Sequence, residues 1–527
     1  MNVIDKMVEA VSPEMAVKRQ RARGVLAIRN AQLDNLDKFM NSGYSNGGAS
    51  RGKRFAKKWK FTSGSPKRDI EENRKILRER SRDLAMNTPL GAAAINSTRT
   101  NTIGCGLIPK PKIDYEFLGL SREEARTLEK GIRQEFRIWA ESTLCDTADQ
   151  NDFYELQQIA FSDWLRNGEE FALISYDEER EYQPYQLRVR LIEADRVSTP
   201  GSLNGDYFTD KKLKNGNRIV NGVEITDSGK VVAYHICSRF PNDYDATQTK
   251  WVRVVKRGEK TGNLNILHVF NAERAGQYRG VPFLAPVIES IKQISRYTDA
   301  EIMAAVINSM FTVFITTEQG DEISEFGGEE DEIDEELEDE EVTLGSGTVN
   351  FLKNGEDVRT VAATHPTGNF DQFLAAMAKL VGAALEIAPE ILLKSFNKSF
   401  SASKGAMNES WKAIKMRRGW FINDFCQVIY ELWLAEAVSK GRIHAPGFFN
   451  NIAIQKAYSN CTWVGPTQGQ LEPGKEVAAA VQRVNAGFST REDECAALNG
   501  SDFDDIVRTL EVENGLMRKA NKVLEED

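Results

Sequence analysis

Three features of the sequence predict an α+β protein built in several parts. At 527 residues the chain exceeds what one hydrophobic core ordinarily organises, so two or more structural units are expected. Between about 168 and 272, short β-branched runs such as "EEFALISYD", "GVEITDSGKVVAYHICS" and "LNILHVF" are broken by Gly, Pro, Asn and Asp, which marks an antiparallel strand block. On both sides of that block, apolar residues return at helical spacing over long stretches.

Taken in order, residues 40 to 66 are rich in Gly, Ser and Lys and read as flexible, so 1–66 is expected to form a basic N-terminal arm. A helix is expected over 68 to 86, with Ile70, Ile76, Leu77 and Leu84 as its apolar face, and "NTPLGAAAINST" starts another with a proline in its first turn. Ser121 caps a helix over 121 to 140 with acids in the first turn, and a further helix covers about 152 to 167. After the strand block, "GVPFLAPVIESIKQISRYTDAEIMAAVINSMF" (281 to 311) and "NFDQFLAAMAKLVGAALEI" (369 to 387) are long amphipathic helices. They bracket a small segment whose "FTVFITT" and "GTVNFLKNGEDVRTVA" read as short strands. A polar loop, "APEILLKSFNKSFSASK", precedes a third long helix from about 402 to 440 that Gly441 is placed to end, and 474 to 525 is helical and charged.

Composition narrows the function classes. The chain is 41% hydrophobic and 28% charged, as ordinary globular proteins are. Its net charge of −10 becomes +4 once the fourteen carboxylates of 321–341 are set aside, so the rest is mildly basic, most of all at 51–69 and 73–82. Those basic clusters suit phosphate backbones or an acidic partner, or simply a solvated arm. Six cysteines without a CxxC pair argue against a zinc site or a disulfide framework. No run of about 18 apolar residues suggests a membrane span, and the first residues lack the apolar core of a signal peptide. Synthesis in a reducing cytoplasm follows as the expectation.

Catalytic chemistry is sparse. There is no GxxxxGK[ST] phosphate loop and no HExxH, and only four histidines (235, 268, 365, 444) are scattered along the chain. "GASRG" (48 to 52) satisfies GxSxG but lacks the strand before and helix after that a nucleophile elbow needs. No catalytic residue, metal site or cofactor is therefore expected. Lys394, Lys398, Lys404, Lys412, Lys415, Arg417 and Arg418 put cations in and after the loop before the third long helix, where phosphates are natural ligands and a solvated helix face is the plain alternative. The run "EEDEIDEELEDEE" (329 to 341) lacks the turn glycine and spaced ligands of an EF-type loop. It reads as a solvated acidic loop, or as a mimic or repeller of DNA phosphates.

Five ordered stretches resemble the portal proteins of lambda-type tailed bacteriophages: "RERSRDLAMNTPLGAAAINSTRTNTIGCGLIPKP" (78 to 112), "NGVEITDSGKVVAYHI" (221 to 236), "ILHVFNAERAGQYRGVPFLAPVIESIKQI" (266 to 294), "SFSASKGAMNESWKAIKMRR" (399 to 418), and "NCTWVGP" with "VNAGFSTREDECAALNGSDFDDI" (484 to 506). The likeness spans roughly 70 to 510 and leaves the N-terminal arm and the acidic run unmatched. It implies a portal fold: an α+β wing at 67–281, stem helices at 282–310 and 367–388, a clip at 311–366 holding the acidic insert 321–341, a tunnel loop at 389–401, a long helix and wing return at 402–473, and a helical crown at 474–527. It further implies a ring, typically of twelve copies, at one capsid vertex of the virion. Double-stranded DNA would pass through the ring without sequence preference. The terminase motor, a head-completion or connector protein, and capsid and scaffold proteins would be partners, with no membrane and no cofactor. Under this resemblance Lys394, Lys398, Ser399 and Ser401 face DNA, and Lys404, Lys412 and Lys415 are candidate channel or inter-subunit cations. Glu329, Glu330, Asp331, Glu332, Asp334, Glu335 and Glu336 would form a partner-docking loop splayed away from the channel, since a ring of such loops inside it would repel itself. Two competing readings stay open: an adaptor that recruits a basic partner through the acidic loop, and a protease with an unrecognised nucleophile.

Overall fold

The computed structural model describes residues 12–40, 63–201, 211–240, 249–309, 313–315, 349–351, 370–395, 400–469, 472–498, 500 and 503–526. The chain divides into two compact units, Met1–Ser65 and Pro66–Asp527. In the first, the flexible arm expected across 1–66 is corrected over Pro13–Met40, which form helix α1. Pro13 suits a first turn, and the Ala, Arg, Lys, Gln and Leu that follow are strong helix formers.

The second unit opens with a π-helical turn, Lys67–Glu71, that leads into α2 (Arg74–Asn87). The expected helix is present, but its inward face is not the expected apolar one. Glu71, Arg74, Arg78 and Ser81 are buried beside Leu84, while Ile76 is exposed. Thr88 then caps α3 (Pro89–Thr102) with Pro89 at its first position. Ser121 and Glu124 close a reciprocal capping box on α4 (Arg122–Ala140), and Asp152 and Glu155 do the same for α5 (Phe153–Asn167).

The strand block resolves into two antiparallel sheets. Strand β2 (Glu169–Tyr176) lies between β3 (Leu187–Glu193) and β9 (Ile266–Phe270). The other sheet runs in sequence order through β4 (Lys211–Lys212), β5 (Arg218–Val220), β6 (Val223–Ile225), β7 (Val231–Cys237) and β8 (Trp251–Val255). Alternation on β2 sends Phe171 into a core shared with Ile192, Val223, Ile225, Tyr234 and Ile236, and sends Ala172 and Ile174 into the main core. A further pair is not evident from the sequence: β1 (Ile108–Pro111) runs antiparallel to β12 (Cys461–Val464). Two prolines in "IPKP" hide it, because proline is ordinarily confined to edge positions, and in a two-stranded ribbon both strands are edges.

The first long helix starts later than expected. Residues 285–287 form a 3₁₀ turn and α6 spans Ile288–Ser309, since Pro282 and Pro286 suit turns and first-turn positions rather than a helix interior. Strands β10 (Val313–Ile315) and β11 (Val349–Phe351) fall in the two stretches that read as strands and pair in parallel. The acidic run between them lies outside the described residues. Helix α7 covers Phe370–Leu385, and Pro389–Leu393 form a short helix, α8, where the sequence suggests a loop. Pro389 occupies its first turn and Leu392 is buried, which gives the turn an anchor. The third long helix is present as α9 (Phe400–Phe421), a π-helical turn (Ile422–Cys426) and α10 (Gln427–Ser439), and Gly441 follows it at φ 69°. The π turn brings Phe421 and Phe425 into a stack 5.1 Å apart in the main core. There, Phe136 of α4 meets Trp433 at 4.9 Å and Tyr430 at 5.5 Å. Helices α11 (Ile452–Ser459), α12 (Pro473–Asn485), α13 (Arg491–Leu498) and α14 (Phe503–Glu526) complete the chain.

Candidate functional site

Of the predicted DNA-facing residues, Lys394 and Ser401 are described, and they flank the turn by which α7 leads into α9. Helix α7 ends when Glu386 takes a left-handed conformation (φ 57°), and the Ile387 N–H reaches back 2.9 Å to the Gly382 carbonyl. A Cβ at residue 382 would stand 2.7 Å from that Ile387 oxygen, so the closure needs glycine. The Ala388 N–H donates to the Ser410 hydroxyl (2.6 Å), which ties the turn to α9. After α8 the chain turns left-handed again at Lys394 (φ 51°), which is exposed. Lys394 lines a cavity of about 260 Å³ with Asn96, Thr100, Glu390 and Trp411.

Helix α9 carries the other cations with unequal freedom. Lys404 pairs with Glu476 of α12 at 3.0 Å, Lys412 pairs with Glu409 at 2.7 Å, and both Lys412 and Lys415 are exposed. Ser401 belongs to the first turn of α9. Lys398 and Ser399, and Glu329, Glu330, Asp331, Glu332, Asp334, Glu335 and Glu336, lie outside the described residues. Arg417 and Arg418 serve as anchors and are not open to phosphate. Arg417 donates to the Leu385 carbonyl (3.0 Å) and the Glu386 carboxylate (2.8 Å) while lying over the Phe283 ring. Arg418 donates to the carbonyls of Asn101, Thr102 and Pro466, and burial lowers it to about 10. Both therefore hold α9 to α7 and α3.

A second cluster is not anticipated from the sequence. Glu169, fully buried at the start of β2, accepts from Arg74 (3.0 Å), Arg78 (3.1 Å), Arg279 (2.9 Å) and the Gly280 N–H (2.9 Å). Burial alone would raise its carboxyl, but Arg279, the His268 hydrogen bond and Arg74 together hold it well below the carboxylate range. Burial pushes His268 down to about 4 against the pull of Glu169, so near neutrality a neutral imidazole donates the 2.9 Å hydrogen bond. Arg279 also donates to the carbonyls of Ala194, Val197 and Asn221, which binds β2 to the second sheet. Gly168 (φ 86°) and Gly280 touch backbone to backbone, for a Cβ on Gly280 would stand 1.9 Å from the Gly168 oxygen. The "QYRGV" string holds the signal. Its arginine and glycine are the hub and its close approach, although nothing in the string names Glu169 as partner.

Among the described residues, no group of three or more His, Cys, Asp or Glu is placed to hold a metal ion, and no helix is long and apolar enough to cross a membrane.

A family model described as "Phage portal protein, lambda family" matches residues 52–418, a span that takes in the strand block, α6, α7 and most of α9. The chain belongs to the lambda family of phage portal proteins. Among curated relatives, portal protein B of Escherichia phage lambda is 24% identical over 484 residues, covering 88% of each chain. The portal protein of Escherichia phage N15 is 22% identical and covers 91% of each, and the probable portal protein of Halomonas phage phiHAP-1 is 23% identical, covering 84% of this chain and 80% of its own. Among solved structures, a chain in the neck of a native gene transfer agent particle is similar at a TM-score of 0.39 with 13% identity, covering 82% of this chain and 94% of that one. A chain of the gene transfer agent virion scores 0.39 at 12% identity, covering 81% and 94%.

Proposed function

We propose that this portal protein acts as a ring, typically of twelve copies, at one vertex of the capsid, and that its axial channel passes duplex DNA during packaging and ejection. The observation that carries the ring is the outer surface of the α6–α7 pair. Met303 is 60% exposed and Leu380 65% exposed, with Ile302 also exposed, so both helices carry large apolar side chains that the described residues leave largely exposed. Repeated contacts of one such face with a different face of the next copy close a ring. Family membership supports the same reading, and with it a structural role without catalysis. The protein would be made in the host cytoplasm and reside in the virion.

In that ring α6 and α7 form the stem, 311–366 the clip, and 389–401 the tunnel loop, with Lys394, Lys398, Ser399 and Ser401 toward DNA. The pairing of Lys404 with Glu476 and of Lys412 with Glu409 tempers the field that DNA would meet, which suits a channel that must let phosphates slide. Residues 329–336 would present carboxylates to basic surfaces of the terminase or the head-completion protein. Negative-stain images and native mass of the purified chain test the assembly, and a protein that stays monomeric under every condition tried overturns it. Deleting 321–341 tests the docking role, with the ring expected to persist while motor binding weakens.

A further inference from the structure

Helix α1 lies N-terminal to the span matched by the family model, and the portal reading gives it no role. Between Glu14 and Asp34 it holds no carboxylate but five cations, Lys18, Arg19, Arg21, Arg23 and Arg29. Residues 21–30 are exposed throughout, as is Lys18. We propose that α1 is a duplex-nucleic-acid-binding helix that lies along a groove without reading sequence, a contact separate from the channel.

Three observations favour that partner. Four of the five cations are arginines, whose planar fork matches phosphate oxygens in bidentate fashion. At 100° per residue the five positions spread over an arc of roughly 200°, along about 17 Å of helix axis. A helix in a major groove has phosphates on both sides, so cations on an arc wider than half the circumference reach both walls. A carboxylate-bearing peptide lying against the helix would engage one side only. A membrane surface fits worse still, because it needs a continuous stripe of large apolar residues opposite the charges. Here the exposed Val25 and Leu26 fall within the cationic arc, and on the opposite side Val17 and Ile28 stand eleven residues apart among Ala16, Gln20, Gly24 and Ala27.

The test uses the full chain and a labelled duplex of about two helical turns of arbitrary sequence. Anisotropy titrations across a salt series compare the native protein with a Lys18→Gln, Arg21→Gln, Arg29→Gln triple variant and with Lys394→Ala. Glutamine is a good helix former, so circular dichroism should show helix content unchanged. The triple variant is expected to bind more weakly on every sequence, with the slope of log affinity against log salt reduced by roughly 0.9 for each cation removed. Lys394→Ala should leave the α1-dependent part intact, so that loss of channel contacts and loss of α1 contacts are told apart. Unchanged affinity and slope in the triple variant would falsify the proposal. Binding of a peptide spanning 329–341, or of anionic vesicles, that the triple variant loses while its duplex binding stays native would overturn it in favour of a carboxylate or lipid partner.

Discussion

Two neighbouring carboxylates on β2 meet opposite fates. Glu169 faces three arginines and stays ionised, whereas Glu170, one residue on and pointing the other way, is buried near Asp163 and Glu193. Burial, and then the Asp163 and Glu193 charges, push the Glu170 carboxyl well above its usual range, so it keeps its proton. A folded-state pKa above the unfolded one contributes stability that is complete below the unfolded value near pH 4.5 and is lost as pH rises through the folded value. Glu170→Gln, which mimics the protonated form, should therefore be close to neutral at pH 4 and stabilising at pH 8, by on the order of 1 kcal/mol or more. Thermal melts at the two pH values measure this, and equal effects at both would refute it. For Glu169 the danger is reversed. Arg279→Ala strips its principal counter-charge and should cost about 3–5 kcal/mol in urea unfolding. Arg279→Lys should recover only part of that, since one ammonium cannot serve Glu169 and the three carbonyls of Ala194, Val197 and Asn221 together.

At the scale of elements, legibility depends on whether local chemistry and burial agree. Helix α4 announces itself through Ser121, whose cap is made as expected, and α3 through Pro89 in its first turn, while the caps by Thr88 and Asp152 are seen only in the fold. The inward face of α2 is hidden because buried arginines look like a solvated stripe until a carboxylate from β2, about ninety residues downstream, is known to meet them. The turn between α7 and α9 resembles a plain loop because α8 is a single short turn, anchored by packing more than by propensity. Arg417 and Arg418 share the cationic pattern of Lys412 and Lys415, yet burial turns them into braces. Two substitutions probe this junction. Gly382→Ala places a methyl 2.7 Å from the Ile387 oxygen and should destabilise by about 1–3 kcal/mol, read as a lower urea midpoint. Lys394→Gly removes a left-handed side chain, a relief of about 1 kcal/mol, along with one cation. A small rise in melting temperature with weaker, less salt-sensitive duplex retention is the expected pair of results, and a fall in melting temperature would contradict it.

For the whole molecule, the order of strand block, helix pair and long helix is readable from periodicity, and the resemblance points to the family that the comparison establishes. Sequence does not say which apolar positions on α6 and α7 the chain keeps for itself. Leu374 and Val381 pack inward while Leu380 does not, a distinction set by how the two helices lie against the body. Leu380→Asp should leave the melting temperature of the isolated subunit nearly unchanged, because the native side chain is exposed there. The same change should shift native mass from rings toward single chains. A variant that forms rings as readily as the native protein would remove that face from the interface.

The backbone contact between Gly168 and Gly280 has a mechanical consequence. No side chain cushions it, and the guanidinium of Arg279 bolts the same spot to both sheets, so the strand block and the root of α6 form a joint without compliance. The C-terminal end of α7 is held differently: a left-handed residue, a short turn and another left-handed residue, tied to α9 by Arg417 and by the Ala388–Ser410 hydrogen bond. A push delivered along α6 would therefore pass into the sheets through backbone contact, whereas one reaching 386–394 would be carried by hydrogen bonds, beside the lysine proposed to touch DNA.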